Sequence, residues 1–150
     1  MRYTSCSGRR IGDLLALEGI AIKREFHARG IGKAAVHGAL RDSDVDAMAA
    51  VTRNPAIINT VNSAFHTAMP DLRLADPLEG LRDRTVCHIA KVYGRHIGVG
   101  AADVPFARNR YTGGLYGDYD VGRDLTGLPE IAANPEHGII VVGLGKRSDI

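Results

Sequence analysis

The chain has 150 residues, of which 45% are hydrophobic and 24% charged, and its formal net charge is +2. This length and composition are typical of one globular domain with its own core, and so small a net charge does not indicate a nucleic-acid partner. No run approaches the roughly 20 apolar residues of a membrane helix, and the polar start lacks a signal-peptide pattern. We therefore expect a single cytoplasmic domain over residues 1–150, with neither nucleic acid nor membrane as a partner.

The first predicted elements form a strand, a glycine turn and a helix. Arg2–Ser5 favours a short strand and Ser7–Arg10 a turn, and an apolar strand then ends at Ile22. A charged loop (Lys23–Arg29), a glycine pair and an apolar-periodic helix (Lys33–Leu40) follow. Glycine lets the backbone approach a ligand closely, and the free N–H groups of a helix start favour a phosphate, so this order predicts an anion site.

A second strand and helix follow a polar break. Asp46–Val51 is a short apolar run that predicts a strand parallel to the first. Asn54 has the side chain of a helix cap, and Pro55 suits the first helical position. Ala56–Phe65 then carries an apolar stripe at helical spacing. These two units predict a mixed α/β domain.

The second half of the chain has more varied patterns. His66–Asp76 is predicted as a loop, Pro77–Arg82 as a short helix, and Thr85–Arg95 as a helix in spite of some strand-like spacing. Ala107–Leu128 is a long loop rich in Gly, Tyr and Asp. Gly138–Leu144 is apolar on both faces, which indicates a strand at or near the centre of a sheet.

The glycine turn, His27-Ala28-Arg29-Gly30-Ile31-Gly32, resembles the acetyl-CoA-binding segment of the GNAT family of N-acetyltransferases. In that family a Gln/Arg-x-x-Gly-x-Gly/Ala turn binds the cofactor pyrophosphate, and His27 stands here where Gln or Arg is usual. The second strand, Asn54-Pro55 and the second helix follow in the order of the family. The resemblance implies a GNAT-like α/β (mixed α+β) fold with a shortened N-terminal half, because the family has helices and strands ahead of its cofactor strand. The sequence leaves open whether the chain is naturally short or starts upstream.

The resemblance also implies an activity and a set of site residues. It implies an N-acetyltransferase that moves the acetyl group of acetyl-CoA, or another acyl-CoA, to an amine of a small molecule. It implies a homodimer whose second subunit helps to complete the acceptor pocket. The strand would lie beside the pantetheine arm, and the glycine turn would hold the pyrophosphate. The cofactor-binding residues would be Ile20, Ala21, Ile22, His27, Arg29, Gly30, Ile31, Gly32, Lys33 and Asn54.

The catalytic residues follow less directly from the family pattern. A general-acid tyrosine is frequent on the second helix of the family, but no tyrosine lies between Val51 and Ile89. We expect the acid among the tyrosines of the long loop, with Tyr111 and Tyr116 as the first candidates. Glu18 is named with them as a candidate catalytic base. The full set of base candidates, which the sequence does not rank, is Glu18, Glu25, His66 and His137.

A different function on the same fold stays open. The chain could be a CoA-binding or regulatory module, or a biosynthetic enzyme that uses the cleft for other small-molecule chemistry. The short N-terminal part and the missing tyrosine favour this alternative, and the retained glycine pair favours the transferase. We expect no metal site, because the loop aspartates (Asp118, Asp120, Asp124) lack the glycine and glutamate spacing of a calcium loop.

Overall fold

The structure is a computed structural model that describes residues 4–11, 14–22, 31–111 and 125–149. Within these ranges six strands form one open sheet with helices on both faces. The strands are β1 (Thr4–Ile11), β2 (Leu14–Ile22), β3 (Ala47–Thr52), β4 (Phe65–Met69), β5 (Phe106–Ala107) and β6 (Gly138–Lys146). The helices are α1 (Ile31–Asp42), α2 (Pro55–Ala64), α3 (Arg84–His96) and α4 (Pro129–Ala133), with a 3-10 helix at Glu79–Arg82. The predicted mixed α/β class is confirmed.

The strands lie in the order β1-β2-β3-β6-β4, and β5 pairs with one end of β6. β1 and β2 form an antiparallel pair, β2 and β3 are parallel, and β6 is antiparallel to both β3 and β4. Parallel neighbours need a crossover connection, which contains α1. The prediction that Gly138–Leu144 is a central strand is confirmed, since β6 lies between β3 and β4 and is buried from Gly138 to Gly143.

Alternate residues of the sheet belong to two separate cores, as the two-residue period of a strand requires. On one face, Met48 and Val141 pack with side chains of α1, α2 and α4. On the other face, Ala49 and Ile140 pack against α3 through residues such as Val86. The sheet is therefore the middle of three layers, and its core consists mainly of aliphatic side chains.

Two predicted boundaries are wrong. The predicted turn at Ser7–Arg10 is part of β1, where it pairs with β2. The predicted loop at His66–Asp76 begins with β4, which starts at Phe65, the residue expected to end the second helix. In β1 the pairing with β2 runs through Ser7–Arg10 to Ile11, in spite of local residues that favour a turn. β4 is stabilised by β6, a strand distant in sequence, and such pairing leaves only a weak local pattern.

The face of the sheet opposite α1 and α2 is covered by residues that come late in the chain. The segment between β4 and β6 contains the 3-10 helix and α3, and both contribute to the core on that face. This segment covers a face of the sheet in a way that the resemblance alone does not predict.

Within the described ranges, no helix combines the length and apolar composition needed to cross a bilayer.

Candidate functional site

β2 and β3 are paired only near their first residues. The parallel register joins Leu14–Ala16 to Ala47–Ala49. Beyond these residues β2 runs on to Ile22 with pairing to β1, and β3 runs on to Thr52 with pairing to β6. Within the described residues, the facing edges of the two strands therefore have no ladder partners over their carboxyl halves. Ligands of open α/β sheets bind at the carboxyl ends of parallel strands, so this opening is the candidate site.

An irregular register in β2 lies next to the opening. Ser7 pairs with Gly19 and the next residue, Gly8, pairs with Leu17, which leaves Glu18 without a partner in the register. An extra residue of this kind bends its strand and increases the local twist. Glu18 lies two residues beyond Ala16, the last β2 residue that pairs with β3, so the irregularity coincides with the point where the pairing of β2 and β3 ends. Glu18, one of the candidate bases, therefore lies in β2 at the point where the cleft opens.

The helices that follow β2 and β3 both begin at the end of the sheet where these two strands have their carboxyl ends. α1 begins at Ile31 and α2 at Pro55, each directly downstream of its strand or its loop. The Asn54 side chain accepts the N–H of Ala56 at 2.9 Å, which confirms Asn54 as the cap of α2. Lys33 is exposed in the first turn of α1. Two helix N-termini and one exposed cation make this edge favourable for an anion.

Some predicted site residues can be placed only in part. The backbone of Ile20–Ile22 forms the end of β2, and that of Ile31 and Gly32 forms the start of α1. Five predicted site residues lie outside the described ranges: Glu25, His27, Arg29, Gly30 and Tyr116. The loop aspartates from which no metal site is expected (Asp118, Asp120, Asp124) lie outside them as well. Within the part of the chain that the structure describes, no three His, Cys, Asp or Glu residues are arranged to hold a metal ion.

Tyr111 lies beside the carboxyl half of β3. Its hydroxyl donates to the carbonyl of Val51 at 3.3 Å, and its backbone N–H donates to the carbonyl of Glu136 at 2.9 Å. Gly138 allows this approach, because a Cβ at that position would stand 2.9 Å from the tyrosine ring. Val51 lies two residues beyond Ala49, the last β3 residue paired with β2. Tyr111 therefore contacts β3 and Glu18 lies in β2, the two strands that separate at the cleft.

The two described histidines among the base candidates lie at opposite ends of the sheet. His137 directly precedes β6 at the end that pairs with Thr52, and its Nδ1 accepts the N–H of Asn109 at 3.1 Å. This hydrogen bond engages the Nδ1 atom of the ring. His66 lies in β4 beside the end of β6 that pairs with the start of β3. The structure thus distinguishes these two candidate bases by position. Of the two, His137 lies at the end of the sheet where the cleft opens.

A buried arginine, which the sequence interpretation missed, stabilises the same end of the sheet. Arg53 is 4% exposed and donates to the carbonyls of Asn134 and His137 at 2.7 Å and of Ile131 at 3.2 Å. A buried cation requires such acceptors. These hydrogen bonds tie the end of β3 to the turn that precedes β6. The sequence signal that could have indicated this role is an arginine placed directly after an apolar strand.

Comparison with family models, with curated proteins and with solved structures found no match. The function is accordingly inferred from the sequence motif and the cleft.

Proposed function

We propose that this protein is an acyl-CoA-dependent N-acetyltransferase with a GNAT-like fold. The observation that carries the proposal is the parallel pair β2–β3, which is hydrogen-bonded from Leu14 to Ala16 and open beyond. An open strand edge offers N–H and C=O groups to a ligand that carries amides, as a pantetheine arm does. The start of α1 follows at the same edge and suits the anionic end of such a ligand.

Each part of this ligand has a proposed binding group on the chain. The free edge of β2 from Leu17 to Ile22 would bind the pantetheine arm through the backbone. The backbone N–H groups from Arg29 to Lys33 would hold the pyrophosphate, and the exposed Lys33 side chain adds positive charge. Acetyl-CoA would supply the acyl group as a thioester.

The chemistry assigned to the chain is proton transfer and charge stabilisation around an attacking amine. Glu18, at the bend of β2, would take the proton from the ammonium group. The unpaired N–H groups of β2 would stabilise the negative charge that develops on the carbonyl oxygen. The Tyr111 hydroxyl, beside β3, would donate a proton to the departing sulfur.

Acetyl-CoA is expected to raise the unfolding temperature of the protein, and Gly30→Glu is expected to abolish the shift. At a concentration 100 times Kd, one ligand stabilises by about 2.7 kcal/mol, or roughly 5–10 °C for a domain of this size. The new carboxylate would fill the space of the phosphate and repel its negative charge. Gly38→Glu is the matched control, because a Cβ there meets only the Arg41 side chain, at 4.0 Å.

The measurement is thermal unfolding with and without the cofactor. The wild type and Gly38→Glu should both shift. The absence of a wild-type shift with saturating acetyl-CoA and with other acyl-CoAs would contradict the cofactor assignment.

The alternative function is distinguished by turnover. Free thiol is measured as the protein is incubated with acetyl-CoA and a panel of amines. Release of thiol with one of these amines is the expected result. A protein that acetyl-CoA stabilises but that releases no thiol with any amine would instead be a CoA-binding module.

A further inference from the structure

The exposed face of α3 carries a row of basic side chains. At about 100° per residue, their spacing of i, i+4, i+7 and i+11 places them within a sector of about 60°. Val86, Ala90 and Tyr93 lie on the opposite side of the helix, in the core. α3 contains no acidic residue. The members of this basic row are Arg84, His88, Lys91 and Arg95, all of them exposed.

The charge of the basic row is not compensated nearby. Among the described residues, none of the four side chains has an ion-pair or hydrogen-bond partner. The acidic residues next to them in sequence are engaged elsewhere: Asp83 caps α3 through the N–H groups of Thr85 and Val86, and Asp103 pairs with Arg108. Lys91 and Arg95 are like charges four residues apart, an arrangement that destabilises a helix by a few tenths of a kcal/mol. An exposed basic row without an internal partner is available to an external anion.

The last residue of the basic row lies at the same end of the sheet as the cleft, near the carboxyl end of β3. Gly94, in the last turn of α3, lies against β6, where a Cβ would stand 3.3 Å from Cδ1 of Ile140. Ile140 pairs with Val51, whose carbonyl accepts the hydroxyl of Tyr111. Arg95 follows Gly94 directly. A chain that lies along the row can therefore continue from Arg95 toward the candidate catalytic groups.

We propose that the basic row binds an acidic peptide segment of a protein, and that this peptide carries the acceptor amine; the second part rests on the proposed transferase function. From Arg84 to Arg95 the row extends about 16 Å, at about 1.5 Å per helical residue. This is the length of about five residues of extended chain. Arginine pairs with carboxylates through two parallel hydrogen bonds. The acceptor is thus an amine in an acidic peptide, in place of the small molecule that the resemblance implies.

A linear peptide fits this surface better than a nucleic acid does. Single-stranded nucleic acids are bound on exposed aromatic side chains as well as on cations. The aromatic residue of α3, Tyr93, is 2% exposed and packs in the core. A duplex requires cations spread over a wider face, whereas the row is one side chain wide.

The test is the binding of a fluorescent peptide of alternating Glu and Gly residues with a free N-terminal amine, followed by anisotropy at low salt. The wild type should bind it, and a peptide with Gln in place of Glu should not bind. Lys91→Glu/Arg95→Glu should weaken binding at least tenfold. The matched control is Arg41→Glu/Arg73→Glu, which reverses two exposed charges away from α3 and should bind as the wild type does. Arg41, like Arg95, is a basic residue in the last turn of its helix.

Three results would overturn the proposal. The first is equal binding by the wild type and Lys91→Glu/Arg95→Glu when thermal unfolding shows both to be folded. The second is binding of an oligothymidine by a wild type that ignores the acidic peptide, which would identify a nucleic-acid surface. The third is no binding of either probe.

Failure of the peptide site and failure of the transferase are separable, because peptide binding is measured without acyl-CoA. Loss of peptide binding with an intact acetyl-CoA shift overturns the basic row alone. Peptide binding by a protein that acetyl-CoA does not stabilise overturns the acceptor role.

Discussion

The Arg53 guanidinium bonds three backbone carbonyls at the carboxyl end of β3, and Arg53→Met removes every donor at once. A buried acceptor without a partner costs about 1–3 kcal/mol. We expect a loss of about 3 kcal/mol or more in the free energy of unfolding, and a fall of roughly 6–12 °C in the unfolding temperature. Thermal and urea unfolding followed by circular dichroism measure both quantities.

Arg73→Met is the control for this prediction. Its side chain is 75% exposed and pairs with Asp71 at 2.8 Å. A surface ion pair is worth about 0–1 kcal/mol, so this change should have little effect. Equal losses in the two variants would show that the three carbonyl contacts of Arg53 add nothing specific.

His37, on α1, makes the stability of the protein depend on pH. Burial, followed by the charges of Lys33 and Arg41, lowers the pKa of His37 below its ordinary 6.5, although Asp149 acts in the opposite direction. The Nε2 atom is buried, and no described residue hydrogen-bonds to it. The unfolded chain therefore binds the proton more readily than the folded protein. As a result, the free energy of unfolding falls as the pH drops below 6.5, until it passes the lowered pKa.

We expect His37→Gln to lose less stability than the wild type between pH 7 and pH 5. Urea unfolding at the two pH values measures the difference. His66→Gln, which changes an exposed histidine of β4, is the matched control and should behave as the wild type does. An equal pH dependence in the wild type and His37→Gln would contradict the assignment.

At the scale of elements, the contact between β4 and β6 depends on a residue without a side chain. A Cβ at Gly143 would stand 2.6 Å from Cγ of Phe65, a side chain that is 1% exposed and has no room to move. Gly143→Ala should therefore destabilise the protein by about 1–3 kcal/mol. The same substitution at Gly38, inside α1, meets only the end of the Arg41 side chain, at 4.0 Å, and should stabilise by about 0.5–1 kcal/mol. Urea unfolding measures both variants, and changes of the same sign would disprove the steric argument.

At the scale of the whole molecule, the sequence predicts those elements whose cause is local. Asn54 and Pro55 mark the start of α2, and the apolar spacing of residues 85–95 marks α3, because cap chemistry and helical period lie within one segment. β4 is not predicted because it is stabilised by pairing with β6, which comes much later in the chain.

The candidate site is predictable only in its parts, for a related reason. Glu18 and Tyr111 can be chosen by chemical type from the sequence, but the place of Glu18 in β2 and the contact of Tyr111 with β3 follow from the tertiary structure. The irregularity at Glu18 is a property of the register between β1 and β2, and it leaves no mark in either strand alone. The role of Arg53 likewise depends on carbonyls that lie far away in sequence.

The position of β6 between β3 and β4 has a consequence for synthesis of the chain. A ribosome releases β3 and β4 first, and the whole segment 70–137 must follow before the strand that joins them is made. During that interval both strands expose edges that can pair with other chains, and closing such a long loop slows folding. The nascent protein therefore needs protection from aggregation until Gly138–Lys146 has left the exit tunnel.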